Sequence, residues 1–432
     1  MKLNYQNVFF NKIPFYLTFL IPIFLVSGPF LSDLAISLCA VIFLINSYKN
    51  NLIYYYKNIF FYIFISFYIY LNISALISDN ILFSLKTSLP YLRFGIFVLS
   101  TWYLLNTDNK LLKYFFYCFL FVFLFLEFDG IYQFIFKHNI FNYPLADPFR
   151  VSSLFGNELI LGSFLSRNYP LFFGLFLFLI EQKKLSKRIT LVSYIVLILL
   201  PILIFMSGER SSFFYFCLAS IYILLFFPKR NIISIFLFSL FLIFLGILID
   251  KTINKDVKRF SDRIINQTLS QFSFKSETSK RLNLFSITHE EHYRSALKIF
   301  KDHAIFGAGP KSFRLKCSEQ KYLVSNTSCI THPHNTYMQL LSETGIIGFL
   351  FVFLTFMTLC VTSFRIIYNK YFLGGYTNPL KICLFASFLI TLWPLVPSGN
   401  FFTNWLNVVY YLPIGFFLWA IKVKQYDASI KC

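Results

Sequence analysis

The sequence predicts an all-α polytopic membrane protein with about twelve transmembrane helices and one large polar loop. Three observations carry that prediction. First, 57% of the residues are hydrophobic and only 13% are charged, against roughly a quarter charged in a soluble domain; mean hydropathy is +0.64. Second, apolar runs close to the roughly 20 residues a bilayer requires recur along the chain. Third, Lys and Arg concentrate in short connectors such as EQKKLSKR (181–188) and FPKRN (227–231), where retained positive charge sets topology. The formal net charge of +20 therefore speaks for membrane lipids as surroundings and against a nucleic-acid partner.

The apolar runs place helices near 14–31, 33–48, 58–78, 88–105, 112–136, 158–180, 189–206, 211–227, 232–249, 338–366, 380–396 and 404–421. The basic start MKLNYQNVFFNK leads into the first span with no small-residue cleavage site, so that span is expected to be retained. With both termini in the cytoplasm, the connectors 48–58, 181–188, 227–231 and 364–371 are cytoplasmic as well, and most of them are basic. The chain then divides into nine helices (1–249), an exported polar loop (250–337) and three helices with a cytoplasmic tail (338–432). Within the loop, Tyr293, Ala296, Leu297 and Phe300 recur at helical spacing in EEHYRSALKIFKDHAIF, which predicts a helical cap. Cys317 and Cys329 both fall in this loop. In an oxidising compartment they suit either a disulfide or two free thiols.

The proton-active chemistry gathers in the same loop, which holds five of the six histidines: His289, His292, His303, His332 and His334. His332 and His334 flank Pro333 immediately before a helix that Asn335 or Thr336 can cap, and exposed N–H groups at such a start attract anions. Imidazole there suits a general base or a metal ligand; a polar cap with incidental histidines remains equally open. HEEH (289–292) and HPH (332–334) supply pairs for a metal, but the pattern matches no zinc signature. Glu209 and Arg210, in FMSGERSSFFYF (205–216), interrupt apolar sequence between two spans; Arg210 can hold an anion with its planar fork. Arg150, Asn157, Glu158 and Arg167 open another span from the same face. The lone G-x-G of FGAGP (306–310) reads as a turn. Cations and a base gathered at one membrane face suit transfer from a lipid diphosphate, with arginines steadying the leaving group.

Four blocks then resemble one family. HPHNTYMQLLSETGIIGFLFVFL (332–354) resembles the H-x-H-N-x-Y-x-x-x-L-x-E-x-G-x-x-G segment of the O-antigen ligase and polymerase superfamily. SGERSSF (207–213) is similar to its small-residue and arginine motif, HYRSALKIFKDHAIFGAGPKSF (292–313) to its loop helix and glycine turn, and RVSSLFGNELILGSFL (150–165) to its upstream segment. The resemblance implies a GT-C-like helical fold in the bacterial inner membrane, with the active site on the periplasmic face. It implies inverting transfer from an undecaprenyl-pyrophosphate-linked glycan, without metal or cofactor. The acceptor would be lipid A–core in a ligase, or a second lipid-linked glycan in a polymerase; the ligase is the first choice.

Carried over residue by residue, Arg210 takes the motif arginine and His334 the catalytic histidine, with His332 second. Arg150, Arg294 and Arg281 join Arg210 as donor-pyrophosphate contacts. Glu209, Asn335, Tyr337, Glu343 and His289 are supporting residues, and Glu343 is expected to orient His334 or a sugar. Two positions depart from the pattern: His289 stands where the family's loop arginine falls, four residues before Tyr293, so Arg294 is favoured in its place; Ala304 stands where proline is usual. The rival classes are a lipid-linked oligosaccharide transporter, whose cations should spread through the bilayer, and a metal-dependent membrane hydrolase.

Overall fold

The computed structural model describes residues 8–148, 150–227, 230–253, 285–374 and 378–429; Arg281, with the rest of 254–284, lies outside them. Helices α1 (Val8–Phe19) and α2 (Ile21–Ser27) share the first apolar segment, and α3 (Pro29–Asn50) follows after Gly28. The expected first span ran to 31, but Pro29 lacks an N–H and suits the first turn of a new helix. The chain continues through α4 (Ile59–Ile77), α5 (Ile81–Ser88), α6 (Leu92–Thr107), α7 (Lys110–Phe136), α8 (Leu161–Glu181), α9 (Lys187–Met206), α10 (Arg210–Phe226) and α11 (Arg230–Ile253). Between α5 and α6, Pro90 sits in a tight turn (Leu89–Tyr91), so the expected helix at 88–105 is the second half of a longer bent segment. The loop contributes α12 (Ile287–Asp302) and the single turn α13 (Phe313–Lys316); α14 (Thr336–Leu373), α15 (Pro379–Thr391) and α16 (Asn404–Ser429) complete the chain.

Eight of these segments are long and apolar enough to cross a membrane, and Arg210–Phe226, Ile232–Leu245 and Pro379–Thr391 are shorter apolar helices. The protein is thus an all-helical polytopic membrane protein. Helix α15 stops at Thr391, short of the expected 396: Pro394 and Pro397 cannot donate to a helical ladder, and 392–403 stay irregular. Helix α8 is the axis of the bundle, buried along most of its length and packed on α15, α10, α9 and α7. Phenylalanine fills the space between helices; Phe116 and Phe172 stack at 5.4 Å. On the outside of α7, Phe121 and Phe128 are left 60% and 62% exposed, as a lipid-facing surface requires.

One junction fixes the loop onto the bundle. Helix α14 is broken at Gly345 (φ 63°, ψ −168°), which frees backbone groups that must find partners elsewhere. The loop supplies them. Ala308 N–H donates to the Ser342 carbonyl at 3.0 Å, Gly309 N–H to the Glu343 carbonyl at 2.9 Å, and Ile346 N–H to the Ala304 carbonyl at 2.8 Å. FGAGP is therefore more than the turn expected from sequence: it is a strip of backbone paired with a broken helix. Helix α4 clamps the junction, with the Tyr70 hydroxyl donating to the Thr344 carbonyl at 2.5 Å and Ser74 Oγ to the Phe306 carbonyl at 2.8 Å. Lys316 adds ion pairs to Asp79 (2.5 Å) and Glu319 (2.8 Å).

Gly307 sits at this junction with φ 73°, and a Cβ there would stand 2.3 Å from the Glu343 carbonyl carbon. Left-handed backbone costs a non-glycine residue about 1–2 kcal/mol, and displacing a partner backbone raises the total to about 2–4 kcal/mol. Gly307→Ala is expected to lower the thermal midpoint of the purified protein in detergent clearly. An unchanged midpoint would mean that the two backbones are not held together as described.

Candidate functional site

HPHN builds the first wall. Asn335 caps α14, its Oδ1 accepting from the N–H groups of Tyr337 (2.9 Å) and Met338 (3.1 Å) while its Nδ2 donates to the Pro394 carbonyl. The cap thereby occupies N–H groups expected to be open to an anion. Just before it, His334 takes a left-handed backbone (φ 54°), which is sparsely populated outside glycine and is held here by surrounding contacts. Its carbonyl accepts from the Ser398 N–H at 2.8 Å. The turn brings the rings of His332 and His334 to 4.2 Å between centroids; those of His289 and His292 lie 5.5 and 5.8 Å from His334.

Two ring nitrogens of the cluster have no protein hydrogen-bond partner. His332 Nδ1 meets Thr331 Oγ1 at 3.0 Å, whereas its Nε2 is buried without a protein partner. His292 Nε2 lies 3.0 Å from the Thr327 carbonyl, which can only accept, so the neutral ring keeps its lone pair on Nδ1; that atom is buried and unpartnered too. His289 Nδ1 contacts Ser286 Oγ at 2.6 Å. Burial, followed by the neighbouring His334, pushes the His332 pKa down to about 3. Burial, then His334, His292 and Arg210, pushes His289 down to about 4. Burial and the neighbouring His292 lower His334 as well. The imidazoles are thus neutral near pH 7, as a base must be.

The second wall is cationic. A cavity of about 1000 Å³ is lined by Arg150, Arg167, Arg210 and Arg314, together with His289, His332 and His334, against two carboxylates, Glu158 and Glu209. Arg210 opens α10. Glu209 caps a different helix, accepting from the N–H groups of Gly162 (2.8 Å) and Ser163 (3.1 Å) at the start of α8 and from Ser212 Oγ (2.8 Å). Arg150 braces the same corner: Nε donates to the Ser207 carbonyl and Nη2 to the Leu159 carbonyl, both at 2.9 Å, with Glu209 3.8 Å away. Arg167 lies over the rings of Tyr215 (4.6 Å) and Tyr410 (5.4 Å), and its Nη1 is buried without a protein partner. Leu25, Val26, Pro29, Phe155, Trp405 and Leu406 add apolar surface to the same cavity.

Three expectations need correction. Arg294 does not line the cavity; it is 59% exposed on α12 and pairs with Glu290 one turn back at 3.6 Å. Glu343, expected to orient His334 or a sugar, does not line the cavity. It is fully buried, and its carboxylate accepts from the N–H groups of Lys311 (2.9 Å) and Phe313 (3.0 Å) and from Gln339 Nε2 (2.9 Å). Tyr337 is a packing residue, its ring against Phe349 and Phe353 and its hydroxyl on the Leu392 carbonyl. The residue that sequence reasoning missed is Arg314. It follows Phe313 directly, lines the cavity, and keeps its Nε buried without a protein partner. A disulfide between Cys317 and Cys329 (Cα–Cα 5.0 Å) ties its helical turn to the segment leading into His332. The bridge between those two cysteines was the available signal: it draws 314–317 towards 329–332.

Among the described residues no group of three or more His, Cys, Asp or Glu side chains is placed to hold a metal ion. The arrangement suits an amphiphilic anion, since guanidinium groups, neutral imidazoles and apolar side chains share one lining.

Residues 195–353 match the family model described as O-antigen ligase. That stretch contains Arg210, Arg314, His332, His334 and Glu343, and over it the chain is similar to O-antigen ligases. A search of curated proteins returns no match to the chain.

The lowered His332 pKa has a consequence for stability. Near pH 7 the ring is neutral in both folded and unfolded chains. Below about pH 6.5 the unfolded chain takes up a proton that the folded site resists, so stability falls with pH by at most about 1.4 kcal/mol per unit until the folded pKa is passed. Thermal midpoints recorded from pH 7 to pH 4 are expected to fall less steeply in His332→Gln than in the wild type; parallel curves would show that His332 is not held neutral.

Proposed function

We propose that this chain is an enzyme of the O-antigen ligase type, which transfers a glycan from an undecaprenyl-diphosphate carrier to an acceptor hydroxyl, with a lipid A–core sugar as acceptor. The observation that carries the reading is the cavity itself, whose lining brings guanidinium groups and neutral imidazoles together with apolar side chains. Arg210 holds the diphosphate through charge-assisted hydrogen bonds. His334 accepts the proton of the acceptor hydroxyl, whose oxygen attacks the anomeric carbon. The bond from that carbon to the phosphate oxygen breaks, its electron pair leaves with the carrier diphosphate, and configuration inverts. Arginines steady the developing charge, so the step asks for no metal. His332, its ring edge-on to that of His334 with centroids 4.2 Å apart, keeps a second proton acceptor beside the first.

We place the reaction on the periplasmic face of the inner membrane, with both termini in the cytoplasm. Two features support that placement. The disulfide between Cys317 and Cys329, in the loop that carries Arg314 and His332, suits an oxidising compartment. The basic connector with Lys183, Lys184, Lys187 and Arg188, at the other end of α8, suits the cytoplasmic side. The cations gather at one end of the bundle, which favours transfer over carriage of the glycan through the bilayer.

The test follows product mass in EDTA, using purified protein, a lipid-diphosphate glycan and two acceptors: lipid A–core and a second lipid-linked glycan. Transfer to lipid A–core is expected to persist in EDTA, to fall about 10²–10⁴-fold in His334→Ala, and to be lost in Arg210→Ala. A ladder growing on the lipid carrier would instead identify a polymerase. Transfer to neither acceptor would overturn the enzymatic reading.

A further inference from the structure

We infer that Arg314 is the loop cation of the donor site and that Glu343 is the residue that positions it. The inference rests on the glycan-transfer reading and says which loop residue meets the diphosphate. Position 289, where the resemblance calls for an arginine, carries a neutral histidine. Arg294 is turned to the surface by its pair with Glu290. Arg314 has what a ligand-binding guanidinium needs: it borders the cavity with Arg210 and His334, and its Nε is buried with no protein group to satisfy it. A buried, unpaired donor is costly unless something supplies an acceptor, and a diphosphate oxygen supplies one.

Arg314 is held by its backbone neighbours. Each oxygen of the Glu343 carboxylate takes one N–H from the turn, Lys311 on Oε2 and Phe313 on Oε1, while Gln339 Nε2 adds a third bond to Oε2. Gln339 continues into the far wall, donating to Asn400 Oδ1 and accepting from the Phe401 N–H, both at 2.9 Å. The Cys317–Cys329 bond closes the other side of the turn. Arg314 thus projects from a segment clamped at both ends, and a pre-placed cation loses little freedom on meeting its anion. Glu343, buried beneath the turn, acts through Arg314.

Binding of undecaprenyl diphosphate to the full-length protein tests this without requiring turnover; Trp405 in the cavity wall provides a fluorescence signal. Arg314→Ala is expected to weaken binding about 10- to 100-fold with an unchanged thermal midpoint, since one charge-assisted contact is lost. Arg314→Lys should restore part of the affinity, and Arg294→Ala should bind as wild type. In the transfer assay, added guanidinium is expected to rescue Arg314→Ala but not Glu343→Gln, in which the arginine is present but misplaced. If Glu343→Gln fails to fold, Gln339→Leu, which removes one donor of three, takes its place. Wild-type binding matched by Arg314→Ala would overturn the inference and leave the glycan-transfer reading standing. Absence of binding by the wild type would overturn both. Full affinity in the Glu343 or Gln339 variant would remove the positioning role.

Discussion

The buried carboxylate of Glu343 is the point on which the arrangement of the site depends. A carboxylate taken out of water is tolerated when hydrogen bonds replace its hydration, and three donors do so here. Two are backbone N–H groups of the loop, so the interaction fixes chain position as well as charge. Around it, the break at Gly345 turns a transmembrane helix into a docking edge, and the loop backbone from Ala304 to Gly309 pairs with that edge. A loop covering a membrane bundle is thereby attached through backbone bonds as definite as those within a helix.

Much of the architecture was legible in the sequence because a bilayer imposes length and hydropathy on every crossing helix. Each expected apolar run has a helical counterpart, and three departures fall where proline intervenes, at Pro29, at Pro90, and at Pro394 with Pro397, while the break inside α14 falls at Gly345. Asn335 as the cap of α14 was legible for a local reason, since a cap and its N–H partners are two or three residues apart. The clustering of Arg150, Arg210, His332 and His334 followed from their shared place at one end of the spans.

The roles of individual groups were less legible. Spacing shows that Glu343 lies on a helix with Gln339 one turn before it, but its two backbone partners sit about 30 positions earlier in a loop, and sequence spacing does not reveal which distant N–H groups turn towards it. Arg314 was hidden for a related reason: it stands in a single helical turn with no motif of its own. Arg294 misled although a local signal existed, because Glu290 at i−4 marks it as half of a surface pair. Glu209, read from the sequence only as a supporting residue, and Arg150, read as a donor contact, both brace the start of α8, while Arg150 also lines the cavity. A charge next to a cavity can hold a ligand or hold the wall, and the distinction lies in where its hydrogen bonds go.

The account joins a cationic, imidazole-bearing cavity to an amphiphilic diphosphate donor, and its central claim is spatial. The most direct test is an experimental structure of the full-length protein with undecaprenyl diphosphate bound. The account predicts density for the diphosphate between Arg210 and Arg314, within reach of His334, and for the first isoprene units along Leu25, Phe155 and Trp405. A diphosphate seated elsewhere on the bundle, with this cavity empty, would contradict it.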